Sequence, residues 1–208
     1  MNGAYAADPK QRNQHFGRAD DAHDFSHQGT AVDQATILQA MALRRTRRTS
    51  PANASGDPEA TRLAAIGLLA RRDFARQELT VRLIARGFAE DTVRNILEAL
   101  AHEGILDDGR YAQNYVLYRA GRGYGPLRIA AELRQRGVPD EAIGVALEGG
   151  PDWSALARKV RAAKFGPQPP ADWAQRAQQA RFLQYRGFSS DHIRAATGVE
   201  PDTGFTDL

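Results

Sequence analysis

The run Gly121-Arg122-Gly123-Tyr124-Gly125 is the first place where residue types and spacing could do chemistry, because glycine-rich loops can cradle phosphates. A dinucleotide fingerprint needs a strand ahead of the loop, and a P-loop must end in Gly-Lys-Ser/Thr. Neither context is present, so the run reads as a helix–helix turn. Asp107-Asp108 offers two adjacent carboxylates. Neighbours on a helix point in different directions. Their place just ahead of an apolar-periodic stretch predicts an N-terminal cap and not an acid–base pair. His15, His23 and His27 could ligate a metal, but no helix holds them on one face and no acid spacing completes a site. His102 and His192 are scattered, and no nucleophile–base signature is legible. The residues predict no catalytic group, no metal and no cofactor, and hence a protein that is not an enzyme.

What remains is cationic. Arg71, Arg72, Arg76, Arg119, Arg122, Arg128, Arg158, Lys159, Arg161 and Lys164 border the predicted helices, several of them where a first helix ends and a second begins. Arginine presents a fork of donors suited to carboxylates and phosphates. The net charge is only +3, so the chain is no bulk polycation. These residues read either as solvated helix faces or as contacts along a common edge that stacked units would present to an extended partner. A further basic cluster, Arg44-Arg45-Thr46-Arg47-Arg48, reads as a solvated linker or as a contact for nucleic acid or an acidic protein surface. Phe74, Tyr111, Tyr115, Tyr118, Tyr124, Trp153 and Phe182 fall mostly at helical spacing, which favours core packing over stacking on bases.

The elements that must position these groups announce themselves by repetition. Arg86-Gly87-Phe88, Arg136-Gly137-Val138 and Arg186-Gly187-Phe188 stand fifty residues apart, twice over. Leu83, Leu133 and Leu183 precede each arginine by three positions, and Asp91, Glu141 and Asp191 follow in phase. Glycine closes a helix in the left-handed conformation. The arginine suits the negative end of the helix that is finishing, and the acid suits the positive end of the next. Such a period is that of a repeat array whose units cannot bury their apolar faces alone. No alternating β-branched pattern appears, so the class is all-α.

The chain divides accordingly. Residues 1–56 read as a disordered tail with a short amphipathic stretch at Ala31–Leu43. Three-helix repeats are expected at 57–105, 106–149 and 150–199, in an elongated, curved array, with a C-terminal tail at 200–208. Asp57-Pro58-Glu59 opens the first helix as a cap, a first-turn proline and an acid. The absence of cysteine excludes disulfides and fits a reducing compartment. No apolar run is long enough to span a membrane, and the first residues lack the order of a secretory signal. A soluble, cytoplasmic, monomeric protein is expected.

Leu106-Asp107-Asp108-Gly109-Arg110-Tyr111-Ala112, then Gly123-Tyr124-Gly125-Pro126-Leu127-Arg128-Ile129 and Leu133-Arg134-Gln135-Arg136-Gly137, resemble the RecX regulatory protein family. Leu69-Ala70-Arg71-Arg72-Asp73-Phe74, Glu78-Leu79 and Leu83 are similar to that family's first unit. The resemblance spans about Glu59 to Ala196. It implies three tandem three-helix repeats and a modulator of the RecA recombinase. Such a protein binds RecA–DNA filaments, restrains their extension, ATP hydrolysis and strand exchange, and damps the SOS response without a cofactor. Single-stranded or duplex DNA is a second candidate partner. The alternatives are a stand-alone helical DNA-binding protein and a scaffold for some other protein.

Overall fold

The computed structural model describes residues 56–198. The stretch Ala31–Leu43, the basic cluster at Arg44–Arg48, the three histidines of the tail and the C-terminal tail from residue 200 lie outside the described residues. Nine α-helices and no strand are present among the described residues. They form three triplets. The first holds α1 (Pro58–Leu69), α2 (Arg76–Ile84) and α3 (Glu90–His102). The second holds α4 (Asp108–Gly121), α5 (Pro126–Gln135) and α6 (Asp140–Glu148). The third holds α7 (Trp153–Phe165), α8 (Trp173–Tyr185) and α9 (Ser190–Thr197).

Local chemistry fixes where helices start. Asp57 accepts from the Glu59 and Ala60 amides, Asp107 from Arg110, Asp152 from Ala155 and Asp172 from Gln175. Each thereby satisfies helix N–H groups that lack an intrahelical partner. Asp107-Asp108 is thus a helix start, as its spacing predicts. Acids at Glu90 and Asp91, at Asp140 and Glu141, and at Asp191 occupy first turns of the third helices.

The Leu-x-x-Arg-Gly-apolar phrase is a Schellman ending, written three times. The amide of Phe88 donates to the Leu83 carbonyl, Val138 to Leu133 and Phe188 to Leu183, at 3.3, 3.2 and 3.1 Å. The glycine amides donate to Ile84, Arg134 and Gln184. Gly87, Gly137 and Gly187 have φ of 90°, 74° and 87°, the left-handed region this motif demands. Leu83, Leu133 and Leu183 are completely buried.

Substantial helix–helix packing falls within triplets, most extensively between the first and third helix of each. Each triplet has its own core. Ile66, Leu69, Leu79, Leu83, Val93 and Leu97 form part of the first, and Tyr115, Val116, Ile129, Leu133 and Ile143 part of the second. The third is leaner: Ala157, Leu183, Phe188 and Ala196 are buried, with Leu156, Val160, Phe182 and Ile193 packed around them. Gln179 is buried where the first two triplets place Leu79 and Ile129.

Candidate protein and nucleic-acid interface

The joints between triplets place the candidate residues. At the second joint the start of α5 meets the turn between α8 and α9. The Gly125 amide donates to the Arg186 carbonyl at 2.8 Å, and the Leu127 amide to the Gly187 carbonyl at 3.0 Å. The third triplet's turn thus satisfies donors at the N-terminus of α5. The backbones approach so closely that a Cβ on Gly125 would lie 2.4 Å from the Gly187 carbonyl carbon. Arg186 returns a hydrogen bond to the Arg122 carbonyl at 3.2 Å. The glycine-rich run is therefore a turn, as its context predicts, and also half of an intertriplet joint.

The first joint follows the same plan with different contacts. Gln77, at the start of α2, lies against Gly137, so close that a Cβ there would meet the Gln77 side chain. Ala75 is buried in the second core. Asp108 accepts the Arg76 amide at 2.8 Å, and Asn114 Nδ2 donates to Asp73 at 3.1 Å. In both joints the loop before one triplet's second helix rests on the next triplet's Arg-Gly turn.

Beside the second joint lies a cluster of arginine, tyrosine and one carboxylate. Glu132 Oε1 accepts from Arg119 at 2.5 Å and from Arg128 at 3.1 Å, and its Oε2 accepts from the Tyr115 hydroxyl at 2.9 Å. Burial pushes Glu132 up, but hydrogen bonds from Arg119, Tyr115 and Arg128 outweigh it and hold its carboxyl below the usual carboxylate range. The Tyr124 ring carries the guanidinium groups of Arg119, Arg128 and Arg186 at 3.9, 4.7 and 5.2 Å from its centroid. Arg136 stacks over Tyr115 at 4.6 Å. Burial raises the Tyr111 hydroxyl to about 12 and raises Tyr115 as well.

Two of the candidate contacts are buried. Arg119 is 5% exposed and held by Glu132, and Arg161 is 6% exposed. Arg161 donates to the carbonyls of Gln168 and Pro167 and to Gln179, tying the longer loop before α8 to the third core. A partner cannot reach either guanidinium without unpacking a core. Arg72 is half-buried, paired with Glu78 at 2.5 Å and stacked on Phe74 at 3.7 Å, which occupies its head group. Arg71, Arg76, Arg122, Arg158, Lys159 and Lys164 are exposed, and Arg128 is partly so.

Arg122 stacks on Tyr118 at 4.5 Å, and Arg128 lies near Tyr185 at 5.8 Å. Tyr185 is 79% exposed and Leu127 60%. Arg122, Leu127, Arg128 and Tyr185 therefore make a mixed basic, aromatic and apolar strip along the second joint. Leu127 and Tyr185 were not singled out by spacing. The signal for Tyr185 is its phase: Ala85, Gln135 and Tyr185 precede the three arginines, and only the last is a large aromatic. No group of His, Asp and Glu among the described residues could hold a metal ion, and no described helix is long and apolar enough to cross a membrane.

Family models for the second and third three-helix domains of RecX match residues 107–147 and 152–197. Regulatory protein RecX of Halorhodospira halophila is 51% identical over 142 residues, covering 68% of this chain and 88% of that protein. Regulatory protein RecX of Pseudomonas putida is 47% identical over 147 residues, covering 70% and 94%. The crystal structure of RecX from Lactobacillus salivarius superposes with a TM-score of 0.61 at 22% identity, covering 67% of this chain and 94% of that one. That last likeness concerns the fold.

Proposed function

The chain belongs to the RecX family, and from that premise we propose that it is a non-catalytic negative regulator of the RecA recombinase. It binds RecA–DNA filaments in the cytoplasm and restrains their extension, and with it ATP hydrolysis, strand exchange and the SOS response. The observation that carries this reading is the strip at the second joint. Arg122 and Arg128 supply charge for phosphate or acidic side chains, while Leu127 and Tyr185 supply apolar area. Aromatic and arginine anchors of this kind dominate protein interfaces. Arg158, Lys159 and Lys164 add exposed positive charge on α7. The test is the DNA-dependent ATPase of RecA with and without this protein. Inhibition is expected, and an unchanged rate at several-fold molar excess overturns the proposal.

The guanidinium–tyrosine stacks favour one second reading, direct binding of single-stranded DNA by base stacking and phosphate pairing. Fluorescence anisotropy across salt separates the two. Tight, salt-sensitive binding in the absence of RecA supports a stand-alone DNA-binding role.

A further inference from the structure

Charge is shared unevenly along the array. Residues 57–105 carry seven arginines against eight acids, and residues 106–149 carry six against six. Residues 150–198 carry eight basic residues against three acids. Those three acids serve helix starts: Asp152 caps α7, Asp172 caps α8, and Asp191 lies in the first turn of α9. No acid lies within α7 or α8. Ion pairing follows the same gradient. Arg62, Arg72, Arg82 and Arg94 pair with carboxylates in the first triplet, and Arg110, Arg119, Arg128 and Arg134 in the second. Among the described residues the third triplet has one pair, Arg194 with Asp191.

The unbalanced charge sits on α7 and continues onto α8. Arg158, Lys159 and Lys164 are exposed, and Arg158, Arg161 and Lys164 follow one another at intervals of three residues. Residues three apart are neighbours on a helix, so these cations repel one another. A helix with four cations and no carboxylate works against its own stability, and an external polyanion relieves that repulsion. α7 packs against α8. α8 carries exposed Arg181 and, at its two ends, Trp173 and Tyr185, 80% and 79% exposed among the described residues. From the helical rise the two rings stand about 18 Å apart along the axis. Exposed positions between them include Gln175, Gln178 and Gln184, which add no negative charge. We propose that the third triplet holds a single nucleic-acid strand across α7 and α8, with Arg158, Lys159, Lys164 and Arg181 against phosphates and Trp173 against a base.

The chemistry of this face selects a single strand over other polyanions. Single strands are held by positive charge along the backbone together with aromatic rings that stack on bases of any sequence. In a duplex the bases are enclosed in the stack, so Trp173 finds no open face there. A strand also carries a charge at every nucleotide, so it meets cations distributed over two helices, which one acidic side chain cannot do. This surface lies apart from the charged residues of the strip at the second joint. It adds to the proposed function and rests on it only for the presence of DNA beside RecA. Tyr185 belongs to both surfaces, so a path over α8 leads from Trp173 toward the strip.

The test is fluorescence anisotropy of a labelled thymidine oligonucleotide with the full chain and no RecA. Weak binding is expected at low salt, falling as salt rises. Arg158→Ala, Lys159→Ala and Arg181→Ala together remove three phosphate contacts and are expected to reduce the slope of log affinity against log salt by about 2. Trp173→Ala is expected to weaken binding by about fivefold to a hundredfold with the slope unchanged. All four residues are exposed, so far-ultraviolet helicity should stay at the wild-type value. Arg94→Ala with Arg134→Ala, paired arginines of the first and second triplets, should change neither quantity. No binding at low salt, an unchanged slope in the triple variant, or a duplex bound more tightly than the single strand overturns the proposal. So does an equal loss from Arg122→Ala with Arg128→Ala, which assigns the strand to the joint. Displacement by polyglutamate as readily as by unlabelled strand overturns it too, because that assigns the face to an acidic protein. An unbound oligonucleotide with the RecA ATPase still inhibited fells this inference and leaves the proposed function standing; a bound one with an unchanged ATPase does the reverse.

Discussion

Gly125→Ala isolates the joint between the second and third triplets. Gly125 has φ −89° and ψ 167°, a conformation that alanine adopts freely, so backbone strain is not at issue. The added Cβ would stand 2.4 Å from the carbonyl carbon and oxygen of Gly187, both backbone atoms that cannot swing aside. Restoring ordinary contact requires the two backbones to part by roughly 1 Å. That displacement breaks the Gly125–Arg186 and Leu127–Gly187 hydrogen bonds. At about 0.5–1.5 kcal/mol each, the joint loses about 1–3 kcal/mol. The assay is amide hydrogen exchange. At this helix start the residue-127 amide is protected by the next triplet's carbonyl and not by its own helix. Its exchange should speed up by about tenfold to a hundredfold, with far-ultraviolet helicity unchanged. Alanine is also a poorer helix cap than glycine, so Gly125→Ser is the control, since serine caps well but carries the same Cβ. If Gly125→Ser restores wild-type exchange, the effect is capping and the joint argument is refuted. Unchanged exchange in both variants refutes it equally.

Four further outcomes follow from the same geometry. Gly137→Val forces a β-branched residue to φ 74° and should lower stability by about 1–3 kcal/mol in thermal unfolding, whereas Gly144→Val, in open space on α6, should not show that loss. Glu132 has a folded pKa below its ordinary value, so its stabilisation is present above the carboxylate range and fades as pH falls through that lower value; Glu132→Gln should flatten acid denaturation of the second triplet. Tyr111 runs the other way: raised to about 12 in the folded state, its contribution is intact below the ordinary tyrosine value near 10 and lost as pH climbs from about 10 to 12, and Tyr111→Phe should abolish that alkaline step. Reversing charge at Arg122 and Arg128 together with Tyr185→Ala should weaken inhibition of the RecA ATPase while leaving the cores folded; undiminished inhibition would place the contact elsewhere.

Much of the fold is local and could be read from the chain. Leu83 to Phe88, Leu133 to Val138 and Leu183 to Phe188 each contain a complete helix ending, because a Schellman turn is closed by residues within five positions of one another. The aspartate caps at Asp57 and Asp107 are equally local. The helical class, the three triplets and the turn at Gly121–Gly125 needed nothing more. What the sequence alone could not decide is which side of each motif faces another triplet. Arg119 and Arg122 are three residues apart and look alike in sequence. One is sealed against Glu132 and the other is exposed, because α5 folds back over the end of α4. Arg161 is withdrawn from the surface by carbonyls that follow it in the chain and by Gln179 on the next helix. Gly125 and Gly187 each fit a turn by themselves, yet a Cβ on Gly125 would meet the Gly187 backbone, sixty-two positions away. Periodicity and capping are short-range and survive in one dimension. Burial and joint contacts depend on groups brought together only when triplets stack, and those the tertiary structure alone decided.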